Sequence, residues 1–402
     1  MTYDAIIVGA RCAGAPTAML LARRCYKILV LDANRVPSDM PMSTHLIWQS
    51  GAAHLHRWGL LDRIAGSNCP PIRRCEVDLG PIRLVGEPPG QNGILDAYSP
   101  RRIILDKILA DAAIAAGAEL REATTVTGLL RENESVTGIW ATSGGTTFEE
   151  RARITIGADG RNSSVARILG VPSYKDVPPL QGTYFAYWHN VAVSGIELYV
   201  RERRGVYAWA TNDALTLVGV NWAAPDFGVV RNDIQSHYLD VIASCAPGLR
   251  ARLQQATRQG RFISGAIANF MRKPFGPGWA LVGDAGVTVD PCTAAGINNA
   301  FRDVETLVEA IDNGLSQRKS MPVALANYHS QRDEASSPIY QFACQLAPFA
   351  PPPPEMIRLF AALASNPAET NRFLGLFAQT VSPVEFFAPS NLQRIIGAAF
   401  RA

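Results

Sequence analysis

The sequence predicts an α/β protein in which an antiparallel β-sheet is inserted into a nucleotide-binding domain and a helical tail follows. Residues 4–8 form a short apolar run that meets Gly9, and a helical segment then leads to a second apolar run, residues 27–31, which ends at Asp32. A strand, a glycine turn, a helix, a strand and a terminal acid within about 30 residues are typical of a dinucleotide-binding βαβ unit. From residue 182 to residue 220, aromatic residues interleave with turn residues, which predicts the antiparallel sheet.

The remaining elements follow from the hydrophobic spacing along the chain. Helices are predicted at residues 52–64, 102–116 and 294–313, and strands at residues 77–85, 193–220 and 280–282. After the four prolines of residues 351–354, the apolar spacing predicts two or three short helices.

The composition favours a folded protein with a large core. Of the 402 residues, 48% are hydrophobic and 18% are charged, and the net charge of +3 is spread without long runs of one sign. This distribution argues against nucleic acid as a partner. The 7 cysteines are scattered without the paired spacing of zinc sites, so we expect no metal and a reducing, cytoplasmic environment. We also expect no signal peptide, because Asp4 interrupts the N-terminus and no basic region precedes the apolar run. No apolar stretch reaches about 18 residues, so we expect no transmembrane segment.

The glycine turn carries the first chemical signal. It reads Gly9-Ala10-Arg11-Cys12-Ala13-Gly14, with Arg11 where the fingerprint has its middle glycine. The helix that follows would aim unpaired N–H groups and its positive dipole end at a diphosphate, and Arg11 could add a charged contact. Alternatively, Arg11 is a surface residue that caps the helix. Asp32 would accept hydrogen bonds from an adenosine ribose.

Two later motifs complete a recognisable set. Residues 156–165 contain a strand that ends in Asp159-Gly160, and residues 278–286 contain a strand that ends in Gly283-Asp284, followed by Asp290-Pro291 and by residues 296–303. In order and spacing these motifs resemble the class A flavoprotein monooxygenases, the p-hydroxybenzoate hydroxylase group, whose architecture is shared with geranylgeranyl reductases and flavin halogenases. Further runs resemble a widespread bacterial subgroup of FAD-dependent oxidoreductases in that superfamily: residues 9–16, 43–45, 98–102, 211–213, 301–303 and 351–356.

The resemblance implies a Rossmann-like FAD-binding domain of the p-hydroxybenzoate hydroxylase type, an inserted substrate domain and a C-terminal helical segment. We expect the FAD-binding domain in residues 1–75, 97–172 and 262–345, the substrate domain in residues 76–96 and 173–261, and the helical segment in residues 346–402.

The resemblance also implies the residues that contact FAD. Asp284 would bind the ribityl chain, Arg102 would reach the ribityl and diphosphate region, and the helix after Ala294 would direct its N-terminus at the flavin pyrimidine. The expected cofactor-binding residues are Gly9, Arg11, Cys12, Ala13, Gly14, Asp32, Ala33, Thr44, Arg102, Val126, Asp159, Gly283, Asp284, Pro291, Gly296, Ile297 and Asn298.

The side of the site that would face the substrate departs from the group in an apolar direction. Val287 stands where a histidine is usual, and Ala294-Ala295 replaces Gly-Gln. We therefore expect an apolar or aromatic small molecule. The predicted pocket residues are Tyr187, Trp209, Trp222, Val287 and Pro291, and the predicted catalytic residues are His45, His189 and Tyr187. Each histidine also has a purely structural interpretation, and the aromatic residues could be ordinary core residues.

The expected reaction is that of a monooxygenase. NADPH or NADH, as a transient electron donor, and molecular oxygen would hydroxylate or epoxidise the substrate through a flavin C4a-hydroperoxide. The main alternative is a flavin-dependent reductase of a prenyl-like double bond. A halogenase fits less well, because its tryptophan motif reads only Trp209-Ala-Thr-Asn here, and a third alternative is a flavin-binding protein without turnover. The tail could contact a membrane surface, and we expect a monomer or homodimer.

Overall fold

The structure is a computed structural model that describes residues 2–399. Its strands form three sheets. The first sheet contains β1 (Thr2–Val8), β2 (Ile28–Leu31), β5 (Glu119–Arg121), β6 (Thr124–Glu132), β7 (Ser135–Ser143), β8 (Thr146–Gly157), β16 (Phe275–Gly276) and β17 (Trp279–Leu281). The second contains β3 (Cys75–Asp78), β4 (Arg83–Gly86), β10 (Gln181–His189), β11 (Ile196–Arg201), β12 (Arg204–Ala210), β13 (Leu215–Ala223) and β14 (Thr257–Gly265). The third, small sheet contains β9 (Ser173–Val177), β15 (Asn269–Arg272) and β18 (Val287–Thr288).

The helices connect and cover these sheets. They are α1 (Gly14–Ala22), α2 (Gln49–Arg57), α3 (Leu61–Ala65), α4 (Arg102–Ala115), α5 (Ser164–Leu169), α6 (Ala224–Phe227), α7 (Ile234–Cys245), α8 (Pro247–Leu253), α9 (Gly296–Leu315), α10 (Met321–Leu346), α11 (Pro354–Ala364), α12 (Pro367–Ala378), α13 (Pro383–Phe386) and α14 (Pro389–Ala399). Within residues 2–399, no helix is both long and apolar enough to cross a bilayer.

The first sheet is parallel through its centre, with the strand order β5-β2-β1-β8-β17. Helices α1, α4 and α9 cover one face, and the β6–β7 ribbon with α5 covers the other. Burial on both faces explains why β1 and β2 are continuous apolar runs. The chain runs from β1 to its neighbour β2 and later adds β8 on the other side of β1, which makes the end of β1 a topological switch point where ligands bind.

The second sheet separates two different cores. Side chains alternate along its strands, so that one face carries Phe185, Tyr187 and Trp209 toward the loop before α2 and the tail. The opposite face carries Tyr184 and Trp222 toward α7 and α8. Most of the sheet is antiparallel as predicted, but β3 pairs in parallel with β11.

The tail is part of the second core. Its helices α11 to α14 pack their apolar side chains, among them Leu363, Phe373, Phe377 and Phe386, into the same cluster as Trp48. Within the described residues the tail contains four helices, of which α13 is a single turn, where two or three short helices were predicted. The predicted helix at residues 52–64 is two helices, α2 and α3, because Gly59 between them adopts a φ of +76° that ends the first.

Candidate active site

The glycine turn after β1 is closed so tightly that side chains are excluded. A Cβ on Gly14 would lie 1.8 Å from the carbonyl oxygen of Gly9, and a Cβ on Gly9 would lie 2.6 Å from the carbonyl oxygen of Ala158 at the end of β8. Gly9 also adopts a φ of +103°, which favours glycine. The turn therefore brings the start of α1 to the switch point between β1 and β8.

Asp32 is held at the end of β2 in the position expected for a ribose contact. Its side chain is buried, with Oδ2 accepting a hydrogen bond from the N–H of Ala10 (2.8 Å) and Oδ1 from the N–H of Asn34 (2.9 Å). These bonds fix the carboxylate beside the glycine turn and leave lone pairs for a further donor. Ala33 follows it on the exposed surface.

Arg11 contacts the loop after Asp32. Its guanidinium donates to Ser38 Oγ at 2.8 Å and lies 3.5 Å from Met40 Sδ. In this arrangement Arg11 ties the loop to the start of α1, and its contact with a diphosphate stays a prediction.

Arg102 forms a buried cluster behind the turn. It begins α4 and pairs with Asp106, with Nε 3.1 Å from Oδ1 and a second guanidinium nitrogen 2.9 Å from Oδ2. Cys12 adds its thiol to the same carboxylate at 3.4 Å. Burial raises the pKa values of Cys12 and Asp106, while the charge of Arg102 opposes the shift at both groups. The cluster connects α4 to the glycine turn.

Asp284 lies in a tight turn directly against this region. Gly283 has a φ of +63°, and a Cβ there would come within 2.8 Å of the Cβ of Ala13. The side chain of Asp284 is accessible to solvent, yet burial of the surrounding region raises its pKa to about 6, with Arg102 opposing the shift. A carboxyl group that is accessible to solvent but surrounded by protein atoms on most sides lies in the wall of a cleft.

Two other predicted contacts occupy structural positions. Asp159 accepts hydrogen bonds from the hydroxyls of Ser163 (2.5 Å) and Ser164 (2.7 Å) and from the N–H of Ser164 (2.6 Å), so it fixes the start of α5. Val126 is buried on β6, in the core on the opposite face of the first sheet from α1. Whether either residue also meets FAD stays a prediction.

The start of α9 has open space beside it, and we name the cleft formed by the glycine turn, Asp32, Asp284 and this helix start the cofactor groove. A Cβ on Gly296 would meet no atom within 4 Å, and the first N–H groups of a helix have no partner within it. The side chain of Asn298 is used internally: it accepts from the N–H of Trp48 (3.2 Å) and donates to Ser50 Oγ (2.6 Å). Before the helix, Ala294 adopts a left-handed φ of +51°, a conformation that glycine adopts without cost.

These residues fit FAD. The switch point supplies a closed glycine turn, a fixed Asp32 and the start of α1 for the ADP half. Asp284 lines a cleft against Ala13, and the open start of α9 supplies backbone donors and a positive dipole end for the flavin half.

An apolar cavity of about 570 Å³ lies between the second sheet and the tail. Its sheet wall includes Val77, Leu79, Ile196, Leu198, Val206 and Trp209. The opposite wall includes Phe342 and Leu346 at the end of α10, Phe349 after it, and Met356, Phe360, Phe373 and Phe377 of the tail. The remaining wall is formed by Met42, Thr44, Leu46, Trp48 and residues 291–294. No Asp, Glu, His, Lys or Arg lines the cavity within the described part of the chain. Residues 291–294 lead directly to Gly296, so the cavity and the cofactor groove share this segment.

Two of the five predicted pocket residues line this cavity, Trp209 and Pro291. Trp222 lies on the opposite face of the second sheet, where it contacts Phe227, because side chains alternate along β13. Val287 packs with Met271 and Tyr340 in a separate small core. The structure thus places both Trp222 and Val287 outside the cavity.

Of the three predicted catalytic residues, two contact each other and the third lies apart. His45 Nε2 and the hydroxyl of Tyr187 form a buried hydrogen bond, and Arg101 lies 4.9 Å above the ring of Tyr187. Burial, with the charges of Arg102 and Arg101, holds the pKa of His45 well below its usual value, and burial raises the pKa of Tyr187. The pair is therefore neutral, and Tyr187 packs in the core next to the cavity. His189 is exposed at the end of β10 and is not brought into this pair.

Sequence reasoning missed several residues that line the cavity: the polar residues Gln181, Thr183 and Asn221 and the tail residues Phe360, Phe373, Phe377 and Phe387. Alternation along β10 could have found the first two, since residues 181 and 183 share a face with Tyr187. For the tail, no local signal indicates which core its apolar side chains join.

Comparison with known proteins agrees with this geometry. The model of the FAD binding domain family matches residues 2–238, more than half of the chain. A digeranylgeranylglycerophospholipid reductase of Methanocella arvoryzae is 25% identical over 344 residues, which cover 83% of this chain and 83% of the relative. A protein of the same name from Methanosarcina mazei is 26% identical over 340 residues, covering 82% of this chain and 80% of the relative.

Solved structures share the fold. A flavin-dependent brominase superposes with a TM-score of 0.81 at 17% identity, covering 100% of both chains. A probable FAD-dependent monooxygenase from Pseudomonas aeruginosa superposes with a TM-score of 0.74 at 19% identity, covering 94% of this chain and 100% of that one. The predicted fold class and the predicted superfamily are thus confirmed. The chain belongs to the FAD binding domain family and is an FAD-dependent oxidoreductase of the class A flavoprotein superfamily.

Proposed function

We propose that the protein is an FAD-dependent monooxygenase that inserts oxygen into an uncharged, apolar small molecule held in the 570 Å³ cavity. The observation that carries this proposal is the chemistry of the cavity wall, on which the described residues place no ionisable carboxylate, imidazole, amine or guanidinium. Such a wall binds neither a carboxylate nor a phenolate well, because a buried charge needs a partner. Epoxidation or hydroxylation of an apolar substrate keeps the substrate neutral throughout.

In this proposal the chain's own residues bind, orient and exclude water. The glycine turn, Asp32 and the start of α9 hold FAD, and Asp284 with Arg102 supports its middle. When bound, FAD takes electrons from NADPH or NADH and activates molecular oxygen. Trp48, Trp209 and residues 291–294 line the cavity and would keep water away from the bound substrate.

The buried pair of His45 and Tyr187 has a proton-holding role in the proposal. Both groups are neutral, and Nδ1 of His45 has no hydrogen-bond partner among the described residues. A neutral imidazole bonded to a phenol can accept a proton at one nitrogen as the other loses one. The pair is therefore suited to carry a proton to or from the site without a charged intermediate in the cavity.

A second candidate is the reduction of an isolated double bond in an isoprenoid-like substrate. The specific observation in its favour is that relatives covering about four-fifths of the chain are named digeranylgeranylglycerophospholipid reductases. The apolar cavity suits such a chain equally well. Reduction also requires a proton donor beside the substrate. Among the described lining residues the available acids are weak ones such as Tyr207 and Cys292, which makes reduction the second candidate.

A turnover assay distinguishes the two candidates. The FAD-loaded protein is given NADPH or NADH with a panel of isoprenoid and aromatic compounds, and oxygen uptake and products are measured together. Oxygen uptake that matches product formation supports the monooxygenase. A saturated product that also forms without oxygen, from enzyme reduced by dithionite, contradicts it and supports the reductase.

A further inference from the structure

One end of the otherwise apolar cavity carries a row of polar side chains. Thr183 on β10 lies directly opposite Asn221 on β13, and Gly205 on β12 is the next neighbour in the same row. Gln181 precedes Thr183 on the same face, and all four residues line the cavity. The register of three adjacent strands therefore concentrates hydrogen-bonding groups at one place.

Tyr207, two residues after Gly205 on β12 and opposite Gly219, has a fixed orientation beside this row. Its ring stacks on Trp209, with 5.1 Å between centroids, and crosses Gly219 so closely that a Cβ there would lie 2.0 Å from Cζ. Thr183 Oγ1 lies 3.1 Å from the carbonyl oxygen of Val220, which can only accept, so the threonine donates there. The tyrosine hydroxyl, 2.8 Å from Thr183 Oγ1, must then donate to the threonine, which leaves the phenol oxygen as an acceptor.

Several polar atoms of the residues that line the cavity lack a partner. Within residues 2–399, Oε1 of Gln181 and Oγ1 of Thr293 are buried without a hydrogen bond, and the amide of Asn221 makes none. Gln181 is held by its Nε2, which donates to Asp290. An unpaired buried polar atom is unfavourable, so a ligand that supplies the missing bond gains affinity here. Gln181 Oε1 and the phenol oxygen of Tyr207 can only accept here, whereas Asn221 and Thr293 each offer both an acceptor and a donor.

We propose that this polar row binds the hydroxyl group of a long-chain, isoprenoid-like alcohol as a hydrogen-bond donor. Asn221 and Tyr207 determine the specificity, and the apolar walls hold the hydrocarbon. The inference rests on the proposed function in that the cavity is taken as the substrate site. A phosphorylated head group is excluded because no cationic side chain lines the cavity among the described residues.

The test is a binding comparison that needs no turnover. Tryptophan fluorescence of the FAD-loaded protein is titrated with farnesol, with farnesyl methyl ether, which only accepts, and with farnesene, which lacks the oxygen. We expect farnesol to bind about 3- to 10-fold more tightly than the other two, the gain typical of one net hydrogen bond. Asn221→Leu and, separately, Tyr207→Phe should reduce this preference while leaving farnesene affinity unchanged.

Leu198→Ala is the matched control, since Leu198 lines the same cavity with apolar surface only. It should weaken all three ligands by the same factor. Flavin absorbance and thermal melting check that each variant is folded. Equal affinity for the three ligands, or a preference for farnesol that persists in both polar variants, contradicts the proposed hydroxyl site. Neither result contradicts the proposed function. If none of the three ligands binds, the cavity is not the substrate site and the proposed function fails with it.

Discussion

The cofactor groove and the apolar cavity meet at residues 291–296 but are built in opposite ways. The groove is made of short local motifs, each fixed by backbone geometry: the turn from Gly9 to Gly14, Asp32 at a strand end and Gly283 beside Ala13. The cavity is made of side chains from β3, β10 to β13 and the tail, which are far apart in the chain. The expected cofactor contacts thus depend on turns, and the proposed substrate site depends on long-range packing.

The largest effect is expected where the groove leaves no space. In Gly14→Val the new Cβ would lie 1.8 Å from the carbonyl oxygen of Gly9. We expect FAD affinity to fall by about 100-fold or more, since overpacking costs about 3 kcal/mol. Flavin retention after gel filtration measures it. Gly248→Ala is the matched control, because nothing lies within 4 Å of that helical glycine, and full retention in Gly14→Val would contradict the placement of the turn.

At the junction of the two regions, burial of Asp290 predicts a pH effect. Its side chain is 1% exposed, Oδ2 has no partner among the described residues, and burial raises its pKa from 3.8 to about 6. A raised pKa favours the protonated group in the folded state. The stabilisation is therefore complete below pH 3.8 and is lost as the pH rises through about 6.

Asp290→Asn removes this pH-dependent term. Between pH 4 and pH 7.5, the free energy of unfolding of the wild-type protein should fall relative to the variant by up to about 3 kcal/mol, from about 1.4 kcal/mol per pKa unit. Urea unfolding at the two pH values measures the difference. Parallel pH profiles for the two proteins would show that Asp290 is not desolvated as the structure indicates.

Trp209 and Trp222 lie on opposite faces of the second sheet, so substitutions there should affect different properties: ligand affinity at Trp209 and the free energy of unfolding at Trp222. Trp209→Phe should weaken binding of an apolar ligand by about 3- to 10-fold, because Trp209 lines the cavity. Trp222→Phe should lower the free energy of unfolding by about 1–2 kcal/mol and leave ligand affinity unchanged, because Trp222 packs in the opposite core. Fluorescence titration and urea unfolding of both variants check this. A loss of affinity in Trp222→Phe would restore the original pocket prediction.

The smallest effect is expected at Ala294, where the cavity wall turns into the groove. Its φ of +51° is unfavourable for alanine by about 1 kcal/mol or more, and glycine removes that cost against a smaller entropic loss. Ala294→Gly should therefore raise the free energy of unfolding by about 0.5–1 kcal/mol. Thermal melting of the FAD-loaded protein measures the change, and a lower melting temperature would contradict the assigned strain.

The same contrast explains how much the sequence could predict. The glycine turn, Asp32 and the start of α9 lie where the motifs indicate, because backbone turns of this kind require particular residues at particular positions. The side of the sheet that Trp222 faces depends on the register between strands, which no single strand reveals. The contribution of Phe373 and Phe377 to the cavity depends on contacts with residues hundreds of positions earlier in the chain. An amphipathic pattern predicts that a helix buries its apolar face, but it does not predict which residues that face contacts.

The most direct test of the proposed reaction is a single turnover of reduced, FAD-loaded protein with an isoprenoid substrate under ¹⁸O₂, followed by mass spectrometry of the product. Oxygen insertion predicts a product that carries one ¹⁸O atom, with the second atom released as water. A product that has gained two hydrogens and no ¹⁸O would contradict oxygen insertion.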